Sequence, residues 1–151
     1  MTIQIDSIMA VLIHEHREIV GALEEIATAM RREPAVEADE IGRIRARFGT
    51  AARKHLASEE ALVFGPLKAS GLLEDMPEIN QIMQDMRAEW STYSANIREW
   101  TLAAIMADRA GYLGQVEQRT ALLKNWNRIE EEEVYRPVLM ALASLPQKAR
   151  T

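Results

Sequence analysis

The sequence predicts an all-α protein, an up-down-up-down bundle of four helices. The chain of 151 residues holds only 7 glycines and 5 prolines, so few positions interrupt a helix. Apolar residues recur at spacings of three and four along four stretches, and β-branched and aromatic residues are never gathered into alternating runs. Helices of about 25 to 35 residues joined by short connections are typical of such bundles.

The first helix is predicted over residues 5–31. Its apolar face has one gap, which His16 occupies, so His16 should point toward the core. An isolated histidine of this kind can also be a core residue that is hydrogen-bonded to a neighbouring helix. His14 lies about 160° from His16 around the helix. We therefore expect His14 to lie on the surface, together with its neighbours Glu15 and Arg17.

The second helix is predicted over residues 36–69, with its end kinked at Pro66. His55 and Glu59 stand where leucines would be expected on its apolar face. Positions four apart share one side of a helix, so the two side chains could point at one metal ion. A hydrogen-bonded pair on one helix is the alternative.

Two further helices are predicted over residues 77–100 and 108–144. The apolar face of the third is continuous and includes Trp90, Tyr93 and Trp100, which we expect in the core. Residues 101–107 are predicted to form a turn. The fourth helix begins after a capping aspartate and is less regular than the others.

The second and fourth helices carry an internal similarity. Residues 59–67, EEALVFGPL, match residues 130–138, EEEEVYRPV, at the same spacing. In this register Glu130 corresponds to Glu59, and Trp126 takes the place of His55. Periodicity also puts Glu133 on the inner face. A run of four glutamates is mostly solvated, so only one or two of them can point inward.

Four ionisable residues are therefore predicted to meet in the core: His16, His55, Glu59 and Glu130, with Glu133 left open as the inward-facing alternative to Glu130. Burying them is costly unless they are paired, hydrogen-bonded or bound to a metal. Two imidazoles and two carboxylates suit Fe(II), Mn(II) or Zn(II). The sequence thus predicts either a metal site or a buried hydrogen-bond network.

The composition of the chain excludes several classes of partner and of chemistry. A net charge of −5 without a basic cluster argues against nucleic-acid and anionic-membrane partners. The chain has no cysteine, which excludes thiolate chemistry. No nucleophile beside a base, phosphate-binding loop or nucleotide fingerprint is present, so we do not expect an enzyme. No apolar run reaches the roughly 18 residues of a membrane span. We expect one cytoplasmic domain over residues 1–151.

Four short motifs lie along the chain: Glu15-His16, His55-x-x-x-Glu59-Glu60 with Pro66, Met86-Arg87-x-x-Trp90-x-x-Tyr93, and Tyr135-x-Pro137. In these features the chain resembles the hemerythrin-like, or HHE cation-binding, domains over nearly its whole length. The resemblance implies a bundle whose core holds a non-haem di-iron centre, with roles in oxygen binding, iron storage or sensing, or responses to nitric oxide and oxidative stress. It also implies that His16, His55, Glu59 and Glu130 occupy ligand positions.

The chain departs from that family in its ligand set. It has three histidines, fewer than a di-iron centre of this type uses, and Met83 and Trp126 stand where further histidines would be implied. We therefore expect a degenerate site that binds at most one iron or other divalent ion, rather than a di-iron oxygen carrier. The alternative is a metal-free structural or regulatory bundle that acts through a protein partner. A homodimer is left open.

Overall fold

The computed structural model describes residues 4–146, which are almost entirely helical and contain no strand. Two π-helical turns join α2 to α3 and α6 to α7, so the chain forms four long helical segments, as predicted. The elements are α1 (Ile5–Met30), α2 (Ala38–Glu59), a π turn (Glu60–Phe64), α3 (Gly65–Ser70), a 3₁₀ turn (Leu72–Asp75), α4 (Pro77–Glu99), α5 (Leu102–Ala107), α6 (Arg109–Ile129), a π turn (Glu130–Tyr135) and α7 (Arg136–Ala143).

The π turns have a local cause that the two halves of the internal repeat share. Pro66 and Pro137 each lie in the first turn of the helix that follows a π turn. A proline inside a helix lacks an N–H and its ring crowds the carbonyl four residues earlier. Widening the preceding turn by one residue relieves that conflict without ending the helix. At Gly65 an added Cβ would lie 2.5 Å from the Glu60 carbonyl oxygen, so glycine suits this turn.

The core consists of two apolar clusters with a polar layer between them. Ile19, Phe48 and Tyr112 belong to the first cluster. Leu12 and Val63 belong to the second, with the side chains of α3 and α7 that face the bundle. Residues of each cluster lie one helical turn above or below the polar positions of α1 and α2. The polar layer is thus shielded from water at both ends.

The predicted turn over residues 101–107 is wrong, because Leu102–Ala107 forms the short helix α5. Thr101 caps it by accepting a hydrogen bond from the Ala104 N–H, at 3.2 Å. Ile105 anchors it by packing, fully buried, in the first cluster. A segment of six residues is too short to show a helical period, and this one is fixed by tertiary contact.

The third long segment packs less deeply than predicted. In α4 the buried residues are Ile79, Met83 and Met86. Trp90, Tyr93 and Trp100 contact the first cluster but are only partly buried. Among the helices of residues 4–146, none is both long and apolar enough to cross a membrane.

Candidate metal centre

The four predicted site residues meet in the polar layer. His16 comes from α1, His55 and Glu59 from α2, and Glu130 from the start of the second π turn. Each offers a ligand atom, and these atoms all lie within 4.8 Å of one another. The four side chains are 2–3% exposed. Helices distant in sequence therefore bring two imidazoles and two carboxylates to one buried point.

Each of the two imidazoles contacts an outer carboxylate through its Nδ1 atom. His16 Nδ1 lies 2.8 Å from Glu131 Oε2, and His55 Nδ1 lies 3.1 Å from Glu15 Oε1. Ser58 donates a further hydrogen bond of 2.8 Å to Glu15. Because an ionised carboxylate only accepts, each Nδ1 carries a proton, and in a neutral imidazole so held the lone pair lies on Nε2. Metal-binding histidines are commonly oriented by such outer carboxylates.

The two Nε2 atoms converge on the Tyr135 hydroxyl. Tyr135 Oη lies 3.1 Å from His16 Nε2 and 3.3 Å from His55 Nε2. It donates a hydrogen bond of 2.9 Å to Glu130 Oε2. The other oxygen of Glu130 lies 3.4 Å from His16 Nε2. The imidazoles meet edge-on, with ring centroids 4.4 Å apart.

Glu59 is buried without a hydrogen bond. Its Oε1 lies 2.6 Å from His55 Nε2. The contact lacks the direction of a hydrogen bond, and neither carboxylate oxygen has a hydrogen-bond partner. An unsatisfied buried acceptor is costly, roughly 1–3 kcal/mol. The orientation of Glu59 is instead that of a ligand turned toward a shared centre.

Burial and mutual charge shift the pKa values of the cluster in opposite directions. Burial and the charge of Glu59 raise the pKa of Glu130 well above its usual value. Burial and the neighbouring His55 lower the pKa of His16. Burial also acts to lower the pKa of His55, but the close carboxylates of Glu59 and Glu15 outweigh it, so the net pKa is raised. Burial and Glu130 raise the pKa of Tyr135, which keeps its phenol protonated in the metal-free protein.

The donor set fits a metal ion. Bonds of about 2.0–2.2 Å place neighbouring ligands about 3.0–3.4 Å apart and opposite ligands about 4.2 Å apart. The contact of 3.4 Å from His16 Nε2 to Glu130 Oε1 matches the spacing of neighbours, whereas that of 2.6 Å from His55 Nε2 to Glu59 Oε1 is shorter and would widen around an ion. The unpartnered Glu59 oxygens supply the charge that a cation would neutralise.

The structure also decides which glutamate of the fourth segment turns inward. Glu130 is buried, whereas Glu133 is exposed. The π turn begins at Glu130 and shifts the register, so the 3.6-residue period that put both on one face no longer holds beyond it.

Met83 and Trp126 stand where the family resemblance implies further histidines, and they lie on different sides of the cluster. Trp126 is partly buried and lines a cavity of about 50 Å³ together with Met86, His55 and Glu130. Met83 lines a separate groove, together with Glu59. His14 is on the surface and pairs with Glu18 at 2.7 Å, as expected for a residue outside the site.

Three residues of the site were not predicted: Glu15, Glu131 and Tyr135. The placement of Glu15 on the surface was wrong, because it is 3% exposed and contacts His55. A signal existed, since Leu12, Glu15 and Ile19 follow the helical spacing of three and four. Tyr135 and Glu131 carried no such signal, because both lie in the π turn.

The comparison with protein families agrees with this geometry. The model of the hemerythrin HHE cation-binding domain matches residues 7–139. The chain therefore belongs to the hemerythrin HHE cation-binding family, with an incomplete set of the family's ligands. Searches of curated proteins and of solved structures gave no significant match.

Proposed function

We propose that the protein binds a single iron or other divalent ion through His16, His55, Glu59 and Glu130, and that it is a binding protein rather than an enzyme or a di-iron oxygen carrier. Glu59 carries this proposal, since it is a buried carboxylate with neither oxygen hydrogen-bonded, and its Oε1 lies 2.6 Å from His55 Nε2. A cation would neutralise that charge and take the lone pair of a neutral His55 at once.

The outer residues support metal binding by fixing the ligands. Glu131 and Glu15 hold the Nδ1 protons, so both Nε2 atoms face the centre without rearrangement. The apolar clusters at either end exclude water. When bound, the ion would supply a localised positive charge and open coordination positions. The chain itself presents no nucleophile paired with a base at the site.

The ligand count limits the site to one ion. A second ion beside His55 and Glu130 would lie in the cavity that Trp126 and Met86 line. Indole offers no lone pair to a metal, and thioether is a poor ligand for a hard iron ion. The second position of a di-iron centre therefore lacks further histidine ligands, and Glu89, which also lines the cavity, lies 3.5 Å from Arg119.

Metal analysis of protein expressed with added iron and purified without chelator or metal-affinity resin tests the proposal. We expect about one equivalent per chain, lost in His55→Ala and kept in His14→Ala, the control at an exposed histidine. Absence of metal from a folded wild-type protein would favour the metal-free bundle that acts through a partner. An absorption spectrum of an oxo-bridged di-iron centre would refute the limit of one ion.

A further inference from the structure

Tyr135 has no role in the four-residue ligand set, yet its hydroxyl lies within 3.3 Å of ligand atoms of His16, His55 and Glu130. The side chain is fully buried. It follows Glu130 by five residues, and the π turn aligns such positions. The ring is held by the second apolar cluster, so its hydroxyl is directed at the polar layer by packing.

The distances around Oη match those between neighbouring metal ligands. Oη is 3.1 Å from His16 Nε2, 3.3 Å from His55 Nε2 and 2.9 Å from Glu130 Oε2. Atoms that share a metal at bond lengths of about 2.1 Å stand about 3.0–3.4 Å apart. The hydroxyl thus occupies a position that an adjacent ligand would take.

The hydroxyl has more close partners than it has protons. Its one proton is donated to Glu130. The Nδ1 atoms of both histidines face outer carboxylates, those of Glu131 and Glu15, so both Nε2 atoms are directed toward Oη. In the neutral imidazoles these Nε2 atoms are acceptors, and the hydroxyl oxygen then faces their lone pairs with its own. A cation among the three atoms would be contacted by all of them at once.

We propose that Tyr135 Oη is a fifth ligand, which binds ferric iron as a phenolate. This inference rests on the proposed metal site. Tyrosine is an established ligand of ferric haem iron. Here the phenolate would join two carboxylates, so three anionic oxygens would balance a charge of three. On binding, the O–H bond breaks, the Oη–iron bond forms, and the proton is released to solvent.

The test loads the purified full chain with ferric iron supplied as its citrate complex. We expect one bound iron and a tyrosinate-to-iron(III) charge-transfer band in the visible spectrum, with tyrosinate vibrations in the resonance Raman spectrum excited in that band. Tyr135→Phe should remove both signals and weaken ferric binding at least about tenfold. Tyr112→Phe is the matched control, since Tyr112 is buried in the other cluster, and it should keep them.

The outcomes separate this inference from the proposed function. One bound iron without a tyrosinate signal, or a signal that persists in Tyr135→Phe, overturns the role of Tyr135 and leaves the mononuclear site intact. Failure of the wild-type protein to bind any metal ion overturns both. If Tyr135→Phe does not fold, the wild-type Raman spectrum still decides, with Tyr93→Phe and Tyr112→Phe excluding the other tyrosines of the chain.

Discussion

Replacing Glu59 by methionine separates a metal site from a hydrogen-bond network, because the two make opposite predictions for the metal-free protein. Methionine fills a similar volume and removes two buried oxygens that have no hydrogen-bond partner. Leaving such acceptors unsatisfied costs about 1–3 kcal/mol. We therefore expect Glu59→Met to raise the free energy of unfolding of the metal-free protein by about 1–3 kcal/mol at alkaline pH. The gain is smaller at acid pH, where a protonated His55 attracts Glu59.

The metal-bound protein should behave in the opposite way. An ion at a free concentration of about 100 times its dissociation constant stabilises the folded state by about 2.7 kcal/mol. In a domain of this length that shifts Tm by about 5–10 °C. Glu59→Met should lose most of this shift. Glu60→Gln is the control, since Glu60 is exposed and pairs with Lys68, and it should keep the shift.

The assay is thermal and denaturant unfolding, each with chelator and with added iron. A loss of more than about 3 kcal/mol in metal-free Glu59→Met would refute the reasoning, because a loss of that size is typical of breaking a satisfied buried ion pair. An iron-induced Tm shift equal to that of the wild-type protein would show that Glu59 is not a ligand.

Three further predictions concern the surroundings of the site. Glu15→Gln and Glu131→Gln should each weaken metal binding about 10–100-fold by loosening the imidazoles, and unchanged affinities in titration calorimetry would contradict this. In the metal-free protein, the raised pKa values of Glu130 and His55 mean that the folded state keeps protons which the unfolded chain has released. The free energy of unfolding should therefore fall as pH rises above 4.5, by at most about 1.4 kcal/mol per pH unit for each proton. The lowered pKa of His16 opposes this fall in the free energy of unfolding below pH 6.5. Glu130→Gln should flatten the dependence of that free energy on pH, as measured in pH-dependent melts. A dependence as steep as that of the wild-type protein would contradict this. Trp126→His with Met86→His should raise iron content above one equivalent, because both line the cavity beside His55. Trp126→His with Met83→His, the pair that the sequence alone suggests, should raise the iron content less. Equal iron uptake by the two double variants would contradict the role of the cavity.

Much of the site could be predicted because it depends on ordinary helical periodicity. His16 fills the one gap in the apolar face of α1, and His55 with Glu59 lies one turn apart on α2. These residues face inward in the structure because α1 and α2 are regular helices there, so spacing in the sequence maps directly onto facing. Glu130 was located by the internal repeat, which preserves the register of Glu59.

The sequence alone determined the helical bundle, through the spacing of apolar residues, and three of the inward-facing polar residues, through the gaps in that spacing. Tertiary structure decided which side of the fourth helical segment, formed by α6, the second π turn and α7, faces these polar residues. The π turn at Glu130 widens the helix, so that Glu130 and Tyr135 point inward and Glu133 points out. It also decided that Glu15 and Glu131 hold the histidines. Such pairs form between helices, and their geometry depends on how the helices pack rather than on local spacing.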